Sequence, residues 1–451
     1  MSHTSACEHK SRPGRATRQR KARKMQEKTA APSRGKVVRD ARYDRYLNWL
    51  REHNFPKAKL VLAEFPDTGR GMMATSDIEA GEIIVSVPKH FLISSEELSK
   101  LYGPHPLSAH QLLALHIAIL KQDPNSFWKP YLSMLPSHFD TMPVQYPKAL
   151  AQHLPSSLIE EIAQQRRKIE LDYAAAMHFL KKRCAQTGER HSITFQEYEY
   201  AWLCVNTRCI HMSNMDSNIK GGNIAMAVFL DFLNHAWDAK IESGYNVRTQ
   251  QFEIRTLTRY KKGQQVFINY GPHDNLAILR EYGFVLPFNE YNFVSLDNEI
   301  WGLFNDMESK LGARTKRTIL ERAGYAGDYT IKKDEVSFRL LNALRLLALD
   351  GPDRPGFDRR LLEWQDVVMG ETEIISMDNE RRALLLLQSV CQQVIETARE
   401  KGAILENLAS KTETNGLHPF AVHFVRQTWQ ETADIANMTV VDIQEKLRDL
   451  V

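Results

Sequence analysis

The chain has 451 residues, long enough for two or three domains, and its 43% apolar and 25% charged content fits a soluble globular protein. The longest apolar run, Leu112 to Leu120, is broken by His116 and stopped by Lys121, short of the roughly 20 residues a bilayer span needs. The N-terminus lacks the apolar stretch of a secretory signal, so an intracellular protein with no membrane partner is expected.

The net charge of +4 is unevenly spread. Residues 1–40 hold twelve Lys and Arg against Glu8, Glu27 and Asp40, a local charge of +9 that leaves −5 on the remainder. Such a segment cannot bury enough surface to fold alone, so 1–40 is expected to be a disordered basic tail. Its run Arg18–Gln19–Arg20–Lys21–Ala22–Arg23–Lys24 suits a nuclear-import signal or a nucleic-acid-binding arm, and equally a plain solvated tail. Nuclear and cytoplasmic residence is the expectation.

Order is expected to begin near Asp40. Tyr43, Tyr46, Leu47 and Leu50 have the spacing of an amphipathic helix that ends near Asn54 and Pro56. Leu60–Phe65 and 71–75 read as strands around the turn Pro66–Asp67–Thr68–Gly69, and Ile83–Val87 as a strand ended by Pro88. Helical texture runs from about 95 to 220, clearest at 112–120, 156–182 and 195–210. Strand character returns at 224–229, 251–255 and 266–270. From about 300 onward the chain reads as helical, most strongly at 336–349, 380–399 and 420–447. Five cysteines (Cys7, Cys184, Cys204, Cys209, Cys391) without CxxC spacing fit neither a disulfide framework nor a zinc site. Cys204 and Cys209 read as buried thiols on one helix.

Four constellations are candidates for chemistry. Gly69 and Gly71 flank Arg70, allowing a sharp bend and close approach of backbone to a ligand. Asp231–Phe232–Leu233–Asn234–His235 follows an apolar strand and supplies polar side chains at its exit. Val266 to Gly271 delivers Tyr270 at the end of another strand. Glu281–Tyr282–Gly283–Phe284 has the form of a helix C-cap. Taken singly, each has an ordinary structural explanation.

In this order and spacing they resemble the SET-domain methyltransferase family, in its Rubisco large-subunit lysine methyltransferase-like subclass. Gly69–Arg70–Gly71 resembles the family's GxG turn, Asn234–His235 its Asn-His motif, and Asn269–Tyr270–Gly271 its catalytic-tyrosine strand. Trp128–Lys129–Pro130–Tyr131, Leu135–Pro136 and the stretch Trp202 to Arg208 are further points of likeness, which extends over about 60–450. The fold implied is α+β: a β-rich SET domain (41–100 and 221–295) split by a helical insertion (101–220) and followed by an all-helical substrate-binding domain (296–451). The resemblance implies S-adenosyl-L-methionine as methyl donor, held by Thr68, Gly69, Arg70, Arg208, Asp231, Asn234, His235, Tyr270 and Tyr282. It makes Tyr270 the catalytic residue, with Phe284 beside it in the substrate pocket. Ala236 and Gln265 stand where a serine and a glutamate are frequent. The cysteine-rich post-SET segment is missing, so no zinc is expected, and the helical tail takes its covering role.

The activity implied is methylation of a lysine in another protein, histone or non-histone, by a monomer. A phenol, which ordinarily titrates near about 10, is a poor base at neutral pH. Tyr270 is therefore expected to align the amine with the methyl group. Histidine methylation is the nearest alternative. The histidine-methylating member of the subclass carries an asparagine two residues after the cofactor-site arginine, where this chain has Ile210. A silent chromatin scaffold is a further alternative, but it has no physical need for Gly69, Gly71, Asn234, His235 and Tyr270 together. Nucleic acid enters only through the basic tail.

Overall fold

The computed structural model describes residues 35–212, 222–307, 312–410 and 416–450. The run Arg18–Lys24, and with it the expectation for 1–34, lies outside them. Order begins before Asp40. Lys36–Val37 forms strand β1, opposite Glu64 and Ala63, and Val38 is buried. The reason is that a sheet edge offers unpaired backbone groups, and pairing with them requires no apolar side chain.

Asp40 caps helix α1 (Ala41–Glu52) by accepting from the Arg42 amide at 2.7 Å, and the helix buries Tyr43, Tyr46, Trp49 and Leu50. The Tyr43 hydroxyl accepts from the Leu62 amide at 2.9 Å, locking the helix to strand β2 (Leu60–Phe65). β2 turns into β3 (Gly69–Ala74), which starts two residues earlier than expected. Next come β4 (Ile83–Pro88), β5 (Leu92–Ser94), α2 (Ser95–Tyr102) and α3 (Ala109–Gln122). Helix α4 covers Ser156–Thr187 and α5 Phe195–Arg208. α5 stops short of its expected end at 210, because Cys209–His211 is drawn off as strand β6 by β7 (Ile224–Ala227), with Ile210 opposite Ala225. Cys209 therefore opens a strand and does not share the helix of Cys204. Strand pairing here overrides a helical pattern.

Beyond β7 lie β8 (Asn234–His235), β9 (Ile241–Asn246), β10 (Gln251–Thr256), β11 (Gln265–Ile268) and α6 (Asn275–Tyr282). The C-terminal part comprises β12 (Val294–Ser295), α7 (Asp297–Asp306), α8 (Ala313–Arg322), β13 (Thr330–Lys332) and β14 (Glu335–Val336). It ends with α9 (Phe338–Leu347), α10 (Phe357–Met369), α11 (Met377–Ala409) and α12 (Pro419–Asp449). The chain divides into two compact units. One takes the chain up to Ala109, Leu120–Leu135 and Arg208–Tyr270; the other takes His110–Ile119, Pro136–Thr207 and Gly271–Val451. Most of the helical insertion thus groups with the C-terminal helices.

In the first unit a five-stranded sheet has the order β1-β2-β3-β11-β8, and two three-stranded sheets have the orders β4-β10-β9 and β5-β7-β6. The pairing of β11 matters most for function. It runs antiparallel to β3, with Gln265 opposite Met73, and parallel to β8, with Phe267 opposite Asn234 and Ile268 opposite His235. One short strand thus unites β3 and β8, whose Arg70 and Asn234 are 164 residues apart in sequence, and its backbone bonds fix their register.

The second unit is built on α11 and α12, which with α9 and α10 bury Leu344, Leu347, Trp364, Leu387 and Ile435. Arg345 forks onto Glu380 at 2.6 and 2.9 Å inside this core, and Lys316 closes the end of α9 by donating to the Leu347 carbonyl at 3.0 Å. The region is not all-helical, since β12, β13 and β14 form a small antiparallel sheet. The two-residue turn Lys333–Asp334 lacks the Asn-Gly or Asp-Gly signal that marks a hairpin in sequence.

On α12, Glu431 accepts from Asn275 at 2.7 Å and from Asn292 at 2.9 Å. Burial raises its carboxyl from an ordinary 4.5 to about 7, Asn275 and Gln427 act in the opposite sense, and Asp434 and Asp274 add to the rise. An acid whose folded value is raised contributes stability below its unfolded value, and loses it as pH rises through the folded one. Glu431→Gln is therefore expected to gain about 1 kcal/mol over the parent at pH 8, after discounting for partial exposure, and nothing at pH 4.5. Paired urea titrations at the two pH values measure this. An equal difference at both would refute it.

Candidate functional site

Three pieces of the first unit build the site: β3, the exit of β11, and the segment 229–235. Gly69 has φ +67°, which lets the chain leave Thr68 sharply, and Thr68, Gly69 and Arg70 are exposed. Gly71 is required for another reason. A Cβ there would lie 2.5 Å from Gln265 Oε1 and 2.8 Å from Asn234 Nδ2. The first glycine serves the turn; the second makes room for side chains arriving from two other strands.

Asn234 Nδ2 donates to the Arg70 carbonyl at 2.9 Å and to Gln265 Oε1 at 2.8 Å. Both amide protons are thereby used within the protein, leaving Oδ1 as the side chain's acceptor. His235 is 3% exposed, and its Nδ1 accepts the Tyr270 amide proton at 3.0 Å, which puts the ring's own proton on Nε2. The Tyr270 ring stacks on the His235 ring, centroids 5.1 Å apart, and its hydroxyl donates to the Leu233 carbonyl at 2.6 Å. With its proton committed, the phenol oxygen presents lone pairs.

Arg208, the last residue of α5, donates from Nη1 to the Asp231 carbonyl at 2.8 Å and stands 3.4 Å from Asp231 Oδ2. Its guanidinium lies over the Phe232 ring, 5.8 Å from the centroid. The Asp231 side chain is 0% exposed and also accepts from the Tyr131 hydroxyl at 2.9 Å. Burial raises the Asp231 carboxyl above the usual carboxylate range, with Arg208 and Tyr131 acting in the opposite sense. The Tyr131 phenol is pushed well above its usual value, chiefly by burial and then by Asp231. Just before this segment Phe229 adopts φ +70°, an unfavourable conformation for a bulky residue, held by packing of its ring on Phe55 at 5.4 Å.

Eight of the expected residues are thus linked in one unit: Thr68, Gly69, Arg70, Arg208, Asp231, Asn234, His235 and Tyr270. Tyr282 and Phe284 belong to the second unit, where they flank the helix cap Gly283 (φ +77°) with ring centroids 6.2 Å apart. The C-cap form expected of that stretch is what is found. Two participants escaped the sequence reading. Tyr131 entered only as part of a matching stretch, and Gln265 only as a departure. A polar residue opening an otherwise apolar strand is the one local signal that Gln265 gave. Among the described residues no group of three or more His, Cys, Asp or Glu is placed to hold a metal ion, and no helix is long and apolar enough to cross a membrane.

A family model of the SET domain matches residues 69–271, and one of the Rubisco LSMT substrate-binding region matches 308–427. The chain belongs to the SET-domain family, as a methyltransferase of the Rubisco LSMT-like type. SET domain-containing protein 4 of Mus musculus is 32% identical over 420 residues, 89% of this chain and 91% of the relative. The actin-histidine N-methyltransferase of Xenopus tropicalis is 27% identical over 356 residues, 74% of this chain and 59% of the relative. Among solved structures, the SET domain of LSMT bound to lysine and AdoHcy superposes with a TM-score of 0.58 at 17% identity, covering 91% of this chain and 92% of that one. That likeness is one of fold, and it agrees with the α+β architecture.

Proposed function

We propose that the chain transfers a methyl group from S-adenosylmethionine to the side-chain amine of a lysine in another protein. The observation that carries this reading is the hydrogen-bonded assembly that joins Thr68, Arg70, Asn234, His235 and Tyr270 on and beside three adjoining strands. When bound, S-adenosylmethionine supplies a methyl carbon on a positive sulfonium, open to in-line attack. The residues suit its polar end. Arg208 offers a cation to the carboxylate, while Asn234 Oδ1 and the exposed backbone at 68–70 offer acceptors and donors to the amino-acid part. Asp231, its side chain wholly buried, holds Arg208 in place and does not itself meet the ligand.

The lysine amine must attack as the neutral base, and a neighbouring positive charge disfavours its ammonium form. The Tyr270 oxygen, its proton held by Leu233, accepts from the amine and keeps its lone pair directed at the methyl carbon. Alignment of this kind lowers a barrier without any proton transfer to the enzyme.

Lysine is favoured over histidine by Ile210, which can give an imidazole no hydrogen bond. The relatives that act on actin histidine make histidine the second reading. The test is incubation of the protein with labelled S-adenosylmethionine and a cell extract, then mass spectrometry of the labelled residue. Label on lysine supports the proposal, and label on histidine moves it to the second reading. A folded chain that neither binds the cofactor nor labels any protein would end both.

A further inference from the structure

We propose that Gln265 is a positioning residue that sets the shape of the cofactor cradle by bracketing the glycine turn to the Asn-His segment. This inference rests on the S-adenosylmethionine reading above and assigns a residue to that site. Gln265 opens β11 and is 8% exposed. Its Oε1 accepts from Asn234 Nδ2 at 2.8 Å, and its Nε2 donates to Thr68 Oγ1 at 2.7 Å. Asn234 in turn holds the Arg70 carbonyl at 2.9 Å. One amide therefore reaches two residues on opposite sides of the cradle, 31 and 197 positions away in sequence.

The backbone register leaves this bracket as a distinct tie. β11 pairs with β3 only at Gln265–Met73 and Val266–Met72, and with β8 only at Phe267–Asn234 and Ile268–His235. The exposed turn Thr68–Gly69–Arg70 lies beyond the paired part of β11, so it has no ladder bond to that strand. The β2–β3 ladder holds Gly69 and Arg70 to Phe65 and Glu64 on one side only. The bonds from Gln265 and Asn234 tie the turn to the strands on its other side. Gly71 completes the argument, since any side chain there would displace the Gln265 and Asn234 amides first. The second glycine of the turn is thus the space in which the bracket sits.

A ligand held by Thr68–Arg70 on one side and by Asn234 on the other depends on the separation of those two walls. Loss of the bracket lets them drift, and ordering them again on binding lowers affinity. Gln265→Leu keeps the volume and removes both bonds. Calorimetric titration of the full chain with S-adenosylmethionine, or with S-adenosylhomocysteine, is expected to show affinity lower by roughly tenfold. Gln265→Glu keeps two acceptors, to which Asn234 and the Thr68 hydroxyl can both donate, and is expected to stay within about threefold of the parent.

Because Gln265→Leu could fail to fold, Thr68→Val gives a second reading from an exposed position. It is expected to lower affinity about threefold, and in combination with Gln265→Leu to add nothing further, since both act on one tie. Affinity unchanged in Gln265→Leu, an equal loss in Gln265→Glu, or additive losses in the double variant would each overturn the bracket. A parent chain that does not bind the cofactor overturns instead the reading on which the bracket rests, so the two failures are told apart in one set of titrations.

Discussion

Tyr270→Phe is expected to lower methyl incorporation by well over tenfold while leaving cofactor affinity within about threefold of the parent. The substitution removes one oxygen and little else. The backbone N–H of residue 270 still donates to His235 Nδ1, and the ring still stacks on the imidazole. What disappears is the hydroxyl whose proton rests on the Leu233 carbonyl. If the oxygen aligns the amine, its loss raises the barrier of the chemical step and spares ground-state binding of the cofactor. The carbonyl of Leu233 loses its donor, so a stability cost of about 1 kcal/mol is expected alongside. Labelled methyl counted in the protein identified by mass spectrometry, with calorimetry of the cofactor, separates the two effects. Full incorporation in the variant would remove Tyr270 from the mechanism. A parallel collapse of cofactor affinity would make it a binding group and nothing more.

The site's parts were legible in sequence as an ordered set, because each is a short local motif: glycines around Arg70, a polar pair after an apolar strand, a tyrosine ending another. Local pattern also gave α1, the β2–β3 hairpin and the long helices α4, α11 and α12. The ties between the motifs were not legible. That Phe267 stands opposite Asn234 is a matter of register between distant strands, and nothing in either segment encodes it. Gln265 and Tyr131 owe their roles to that register and to burial, so each looked like an ordinary residue of its own segment. The same cause explains β6. Cys209–His211 continues a helical pattern, but the partner that claims it as a strand, Ile224–Ala227, comes later in the chain. Likewise Lys36–Val37 pairs by backbone alone, and the β13–β14 turn uses residues with no turn signature. Sequence reading failed where a distant strand, not the local residues, decided the outcome.

Asp231→Ala is expected to cost about 3 kcal/mol of stability and at least tenfold in cofactor affinity. The carboxylate lies wholly inside the first unit, between the Tyr131 hydroxyl at 2.9 Å and the Arg208 guanidinium at 3.4 Å. Burial makes a charge costly there and raises its pKa, while Arg208 and Tyr131 act in the opposite sense. Its removal leaves a buried hydroxyl without its acceptor and a guanidinium without its counter-charge. Arg208 is 19% exposed at its side chain, so it can turn toward water. That places the cost at the lower end of the range for breaking a buried pair, and it is also how affinity is lost, since a guanidinium that swings outward no longer meets a carboxylate beside residue 231. Asp231→Asn divides the two effects. It keeps an acceptor for Tyr131 and removes only the charge, so it is expected to recover most of the stability and little of the affinity. Tyr131→Phe is the converse, a loss of about 1 kcal/mol with affinity nearly intact. Guanidinium unfolding and calorimetry on these three variants test the arrangement. If Asp231→Ala binds the cofactor as tightly as the parent, then Arg208 is not held for the ligand, and the buried carboxylate serves the fold alone.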